Sequence, residues 1–188
     1  MIFDLDGTLA DTMPLHMKAW KIACQEAGII MTSDFLRSFT GTPGKYIAEA
    51  VVRYHGLENS VDTELIARRK VEIFRDMQPL VKVVEPVARI ARDQYRQIPM
   101  AIGTGGQKQT VELTLDIIEM RHFFDIIITA DDVKNYKPDP ETFIRCAELM
   151  NINPADIQVF EDGDLGIEAA LRAGMDPVDV RSWYDYSW

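Results

Sequence analysis

No apolar run in this chain approaches the ~20 residues a bilayer-spanning helix needs. The apolar stretches are short, such as Phe123-Phe124 and Ile126-Ile127-Ile128. Cysteine is scarce as well. Cys24 and Cys146 stand far apart in helix-like segments and offer no disulfide framework, so a reduced, cytoplasmic setting is expected. Basic charge is in deficit: 20 Lys and Arg face 30 Asp and Glu, a net charge of -10. That balance speaks against nucleic acid or a membrane surface as partner. It does not exclude a small anionic substrate, because a local site can invert the global field. Repeats and low-complexity tracts are absent, and the opening residues read as a strand carrying acids rather than a signal peptide. What is present is globular: 47% hydrophobic and 27% charged residues over 188 positions. A chain of that length can bury about 70% of the surface its unfolded form exposes.

Met1-Ile2-Phe3-Asp4-Leu5 is an apolar run leading into Asp6-Gly7-Thr8, the pattern of a buried strand breaking into a glycine turn. From 13 to 77 the spacing is helical and no convincing strand interrupts it. His16, Ala19, Trp20, Ala23 and Ala27 recur until Gly28; Ser33 is placed to cap Phe35-Leu36; Thr42-Pro43 opens a helix that Gly56 ends; Leu65, Ile66, Arg69, Lys70, Ile73 and Phe74 continue to Pro79. From 82 onward helix and strand alternate. Helices are predicted over 86–95, 107–120, 140–150 (with Asp139 as cap) and 165–173, and strands over 99–103, 124–129, 157–160 and 178–180. The fold class is therefore α/β: a Rossmann-like parallel sheet core built from 1–12 and 82–188, with an inserted all-helical cap at 13–81.

In such sheets ligands sit beyond the carboxyl ends of the strands. Four strands end in suggestive chemistry: Asp4-Leu5-Asp6-Gly7-Thr8, Thr104-Gly105-Gly106, Tyr136-Lys137-Pro138 and Glu161-Asp162-Gly163. Carboxylates at i and i+2 of a strand share a side. Their mutual repulsion raises a pKa unless a cation intervenes. Hard oxygen ligands without a histidine among them suit magnesium better than zinc. Thr104-Gly105-Gly106 before a helix makes an anion seat, although taken alone it reads more readily as an ordinary strand-to-helix turn.

The order of these motifs resembles the haloacid dehalogenase superfamily over essentially the whole chain. It is carried by Asp4-x-Asp6-Gly7-Thr8, Thr104, Lys137-Pro138, and Glu161-Asp162 with Gly166-Ile167-x-Ala169-Ala170. Within the superfamily the chain is similar to the β-phosphoglucomutase-like branch. Its stretch 174–181 looks like that of bacterial fructose-1-phosphate phosphatases. The resemblance implies Asp4 as nucleophile and Asp6 as acid and base. Thr104, Gly105, Gly106 and Lys137 would cradle the phosphoryl group. Magnesium would lie among Asp4, the Asp6 backbone carbonyl and Asp162, with Glu161 as ligand or holder of a bound water. A halide leaves unprotonated, so the presence of Asp6 favours phosphoryl transfer over dehalogenation.

The helical insertion is expected to choose the substrate. His16, Lys45 and Lys70 are its candidate binding residues, each of which taken alone also reads as solvated helix surface. The branch's mutases carry a cap arginine that grips a second phosphate; here Gly44 stands in that place, with Lys45 beside it. Hydrolysis of a small sugar phosphate by a monomeric enzyme therefore ranks above mutase activity. A non-catalytic binding module, which usually loses the nucleophile, the acid or the metal carboxylates, is the remote alternative.

Overall fold

The computed structural model describes residues 1–37, 39 and 42–185, with only the backbone of Ser33 and Arg37. Along the chain run β1 (Ile2–Phe3), β2 (Ala10–Asp11), α1 (Met13–Glu26), α2 (Ser33–Arg37), α3 (Gly44–Tyr54), α4 (Thr63–Met77), β3 (Lys82–Val83) and α5 (Glu85–Gln94). Then follow β4 (Ala101–Gly103), α6 (Lys108–Ile117), β5 (Ile126–Ile128), α7 (Glu141–Met150), β6 (Gln158–Glu161), α8 (Asp164–Arg172) and β7 (Asp176–Asp179). No helix among the described residues is long and apolar enough to cross a membrane.

Five strands form a parallel sheet in the order β5-β4-β1-β6-β7. Ile2 pairs with Ala101 and Val159; Phe3 pairs with Ile102 and Phe160. Successive side chains point to opposite faces, so each row feeds a different core. Phe3, Ile102 and Phe160 pack with Val87, Ala88 and Ala91 of α5 and with Val111 and Leu115 of α6. Phe3 stacks on Phe160 at 4.8 Å between ring centroids and meets Phe124 edge-on at 5.7 Å. Ile2, Ala101 and Val159 pack with Phe143, Cys146 and Ala147 of α7 and with Ala169 and Ala170 of α8. Burial on both faces is why these strands read as continuous apolar runs rather than as alternating patterns.

A third core lies wholly in the helical segment, where Trp20, Ala23 and Cys24 of α1, Ile47 and Val51 of α3, and Ile66, Ile73 and Phe74 of α4 pack together. Asp62 accepts hydrogen bonds from the backbone N–H groups of Glu64 (2.9 Å) and Leu65 (3.3 Å) and so starts α4.

Several local expectations are corrected. The Phe35 N–H donates to Thr32 Oγ1 at 3.3 Å; the side chain of Ser33, the expected cap, lies outside the described residues. Pro43, without a side-chain bond, occupies the cap position of α3, so Thr42 does not cap it. Strand β7 begins two residues early and contains Pro177, which an edge strand tolerates because its outer N–H needs no partner. The antiparallel pair β2–β3, with Ala10 opposite Val83 and Asp11 opposite Lys82, was not expected. It ties together the two chain crossings between the sheet and the helical segment.

Candidate active site

The sheet reverses its strand order between β1 and β6, the position where parallel sheets open a crevice. Asp4 leaves β1 there, anchored by its N–H to the Phe160 carbonyl at 3.0 Å. The chain then turns back, with Leu5 O accepting from the N–H groups of Thr8, Leu9 and Ala10. Gly7 takes φ +87°, and a Cβ on it would lie 2.2 Å from Asp162 Oδ2. A side chain is therefore excluded on conformation and on space. The turn lets Thr8 Oγ1 donate to Asp162 Oδ1 at 3.0 Å.

From β6 come Glu161 and Asp162. The Gly163 N–H donates to Glu161 Oε2 at 2.7 Å. In α8, a Cβ on Gly166 would overlap Glu161 Oε1 at 1.7 Å, so the helix can pass behind this carboxylate only as glycine. Lys137, only 6% exposed, drives its ammonium between the two strand ends. Its Nζ donates to Asp4 Oδ1 at 2.7 Å and Glu161 Oε1 at 2.6 Å, and lies 4.7 Å from the centroid of the Phe143 ring. Burial would lower the Lys137 pKa, but the charges and hydrogen bonds of Asp4 and Glu161 outweigh it and hold it above the ordinary lysine value.

Carboxylate oxygens of Asp4, Glu161 and Asp162 lie within 4.8 Å of one another. Desolvation raises Asp4 well above the usual carboxylate range against the pull of Lys137. Desolvation and then the charge of Glu161 push Asp162 up to about 7. One ammonium against two buried carboxylates and a half-buried third leaves negative charge uncompensated, the condition a divalent cation relieves. Both Glu161 oxygens are engaged, by Lys137 and by the Gly163 N–H, which leaves the second oxygens of Asp4 and Asp162 to meet an ion. An all-oxygen set of this kind fits magnesium. The Asp6 carboxylate stands outside this cluster.

Asp6 is instead turned toward the helical segment. It accepts from Thr12 Oγ1 at 2.7 Å and lies 3.3 Å from His16 Nε2. Lys70 Nζ sits 2.8 Å from His16 Nδ1. An ammonium can only donate, so Nδ1 accepts and the ring proton sits on Nε2, facing Asp6; this tautomer is assigned from the network. The His16 ring stacks on Phe74 at 3.8 Å, and Lys70 lies over Trp20 and Phe74. Burial lowers Lys70 to about 8 against the charge of Asp6. Burial and then the Lys70 charge lower His16. For Asp6, burial works upward, but the His16 and Thr12 hydrogen bonds and the nearby cations win and hold it below the usual range.

Thr104 follows β4, is buried, and accepts from the Gly106 N–H at 3.1 Å. A Cβ on Gly106 would come within 2.8 Å of Val111 Cγ2 and 3.4 Å of Asp6 Oδ2. Thr104, Gly105, Gly106, Asp4, Asp6, His16, Lys45, Lys70, Lys137, Glu161 and Asp162 all border one cavity of about 850 Å³ between the sheet and the helical segment. Lys45 is exposed there. Thr12 was not anticipated: a hydroxyl six residues beyond Asp6 gives no periodic signal, and only the turn at Gly7 brings the two together.

Residues 1–180 match the family model of the haloacid dehalogenase-like hydrolases. The chain belongs to this family. Among curated relatives it is 39% identical over 183 residues to the fructose-1-phosphate phosphatase YqaB of Escherichia coli, spanning 96% of this chain and 95% of the relative. It is 30% identical over 182 residues to a phosphorylated carbohydrates phosphatase of Thermotoga maritima, spanning 95% and 82%. Among solved structures, β-phosphoglucomutase of Clostridium difficile superposes with a TM-score of 0.85 at 25% identity, covering 95% of this chain and 82% of that one. As a haloacid dehalogenase-like hydrolase the chain is an enzyme, with the family's four motifs gathered around a single cavity.

Proposed function

We propose that this hydrolase removes phosphate from a small sugar phosphate of the fructose-1-phosphate type, with magnesium, through an aspartyl phosphate on Asp4. The observation that carries the reading is the division of labour between two carboxylates two residues apart. Asp4 is held by Lys137 at the sheet edge, and Asp6 by Thr12 and His16 on the side of the helical segment. The phosphatases among the curated relatives support the substrate class.

Asp4 attacks phosphorus in line, and the ester P–O bond breaks with its electron pair on the departing alkoxide. Asp6 protonates that alkoxide. Its carboxyl is ionised in the observed arrangement, and an arriving phosphate dianion disfavours that charge and promotes the protonated form. Water then attacks the phosphoryl group, Asp6 takes its proton, and Asp4 is released with inorganic phosphate. Thr104, the Gly105 and Gly106 backbone and Lys137 meet the phosphoryl oxygens as charge develops. Magnesium, held by Asp4, Asp162 and the Asp6 carbonyl, would supply further positive charge, while Glu161 orients Lys137 and the Gly163 backbone.

Mutase activity is the second reading, favoured by the structural likeness to β-phosphoglucomutase. A mutase must hold a bisphosphate by both ends. Here Gly44 faces Trp20, a Cβ on it lying 3.5 Å from Trp20 Cζ2, and offers no cation to a distal phosphate. Incubation with β-glucose-1-phosphate and a bisphosphate primer separates the readings: we expect phosphate release to outrun isomerisation, whereas fast glucose-6-phosphate formation without free phosphate would reverse the ranking.

A further inference from the structure

The charged floor of the cavity accounts for a phosphoryl group, and the rest of its roughly 850 Å³ must take the alcohol part of the ester. On the Lys137 side, two tyrosines from opposite walls meet. Tyr46 of α3 and Tyr136, the residue before Lys137, lie edge to face with centroids 6.3 Å apart and planes at 64°. Both border the cavity. The Tyr136 backbone is fixed by the same turn that delivers Lys137, its carbonyl accepting from the Asp139 N–H at 2.9 Å. Tyr46 keeps 49% of its surface exposed. Neither phenol oxygen has a hydrogen-bond partner among the described residues. The exposed ring of Tyr46, the half-buried ring of Tyr136 packed on its inner side against the core, and two hydroxyls without a partner among the described residues suit a carbon skeleton bearing hydroxyl groups: C–H surface for the rings, hydroxyls for the phenols.

We propose that Tyr46 and Tyr136 form an aromatic rim that determines specificity, closing over the hydroxylated skeleton of the substrate and selecting sugar monophosphates over small acyl phosphates that do not reach it. The inference rests on the sugar-phosphate reading above. Because one tyrosine comes from each side of the cavity, the rim is complete only when the helical segment lies over the sheet, which couples recognition of the skeleton to enclosure of the phosphate.

The test is the ratio of kcat/KM for a hexose monophosphate panel to kcat/KM for acetyl phosphate, whose acyl group is too short to reach the rim. Tyr46→Ala is expected to lower this ratio about tenfold, mainly through KM for the sugar esters. Tyr46→Phe should keep the ratio within about threefold of wild type, because the ring remains. Tyr136→Leu should lower it in the same direction; any disturbance of Lys137 is read separately, from kcat for acetyl phosphate. An unchanged ratio in Tyr46→Ala and Tyr136→Leu, with wild type turning over the sugar esters, would overturn the rim alone. Wild type that hydrolyses acetyl phosphate and no sugar monophosphate would overturn the substrate reading and this inference with it.

Discussion

Lys137 Nζ stands 2.7 Å from Asp4 and 2.6 Å from Glu161, nearly excluded from water. A unit charge pair at about 4 Å and an effective dielectric near 20 contributes on the order of 4 kcal/mol. Lys137→Met should therefore cost several decades of kcat, at about 1.4 kcal/mol per decade. It also leaves two carboxylates buried without their cation, which typically costs about 3–5 kcal/mol. Thermal melting should fall by roughly 10 °C. A variant that melts like wild type would show that the pair is not held as described. Asp162 supplies a second residue-level prediction. Its folded pKa is raised to about 7 from 3.8, so between those values the fold keeps a proton that the unfolded chain has released. The metal-free protein then loses stability from this group as pH rises through that window. Magnesium relieves the repulsion at the top of the window and must displace a proton at the bottom. Its stabilising shift in Tm should be larger at pH 8 than at pH 5; the opposite order would argue against an ion at Asp162. The acids were legible because they stand at the ends of strands, and Lys137 because it follows them in the order of the motifs. Thr12 was not, since its hydroxyl serves a side chain brought near by a turn.

Helix α8 owes its path to one missing side chain. Gly166 passes Glu161 where a methyl group would sit 1.7 Å from Oε1. In the sequence it is a glycine in the first turn of the helix, where it gives no local benefit over alanine. Gly166→Ala should keep the helix, leave far-UV circular dichroism unchanged, and lower activity at least about a hundredfold by displacing Glu161 from Lys137. Near wild-type activity would mean that Glu161 is not needed to place that ammonium. Strands β1 and β4 were readable because both of their faces are buried and their sequences are apolar runs. The β2–β3 pair was not readable: two residues per strand carry no period, and Lys82 and Asp11 look like solvated charge. Pro177 misled in the same way, by resembling a strand boundary when it sits inside an edge strand.

Three cores, two on the faces of the sheet and one in the helical segment, make the molecule a sheet with a separately packed cover. The cover reaches the sheet through Asp6–His16 and through Arg75 to Gln109 and Gln78 to Thr110 and Thr114. The alternation of helix and strand made the sheet legible, and the block of helical spacing made the cover legible. The depth to which Tyr46 and Lys70 reach over the cavity depends on how the two pack, which no local pattern encodes. The central claim is that Asp4 carries the phosphoryl group in transit. Acid quenching during turnover of radiolabelled acetyl phosphate, followed by peptide mapping, tests it directly. We predict a hydroxylamine-sensitive label on the peptide containing Asp4, lost in Asp4→Asn together with hydrolysis. Label on another residue, or full hydrolysis by Asp4→Asn, would contradict the account.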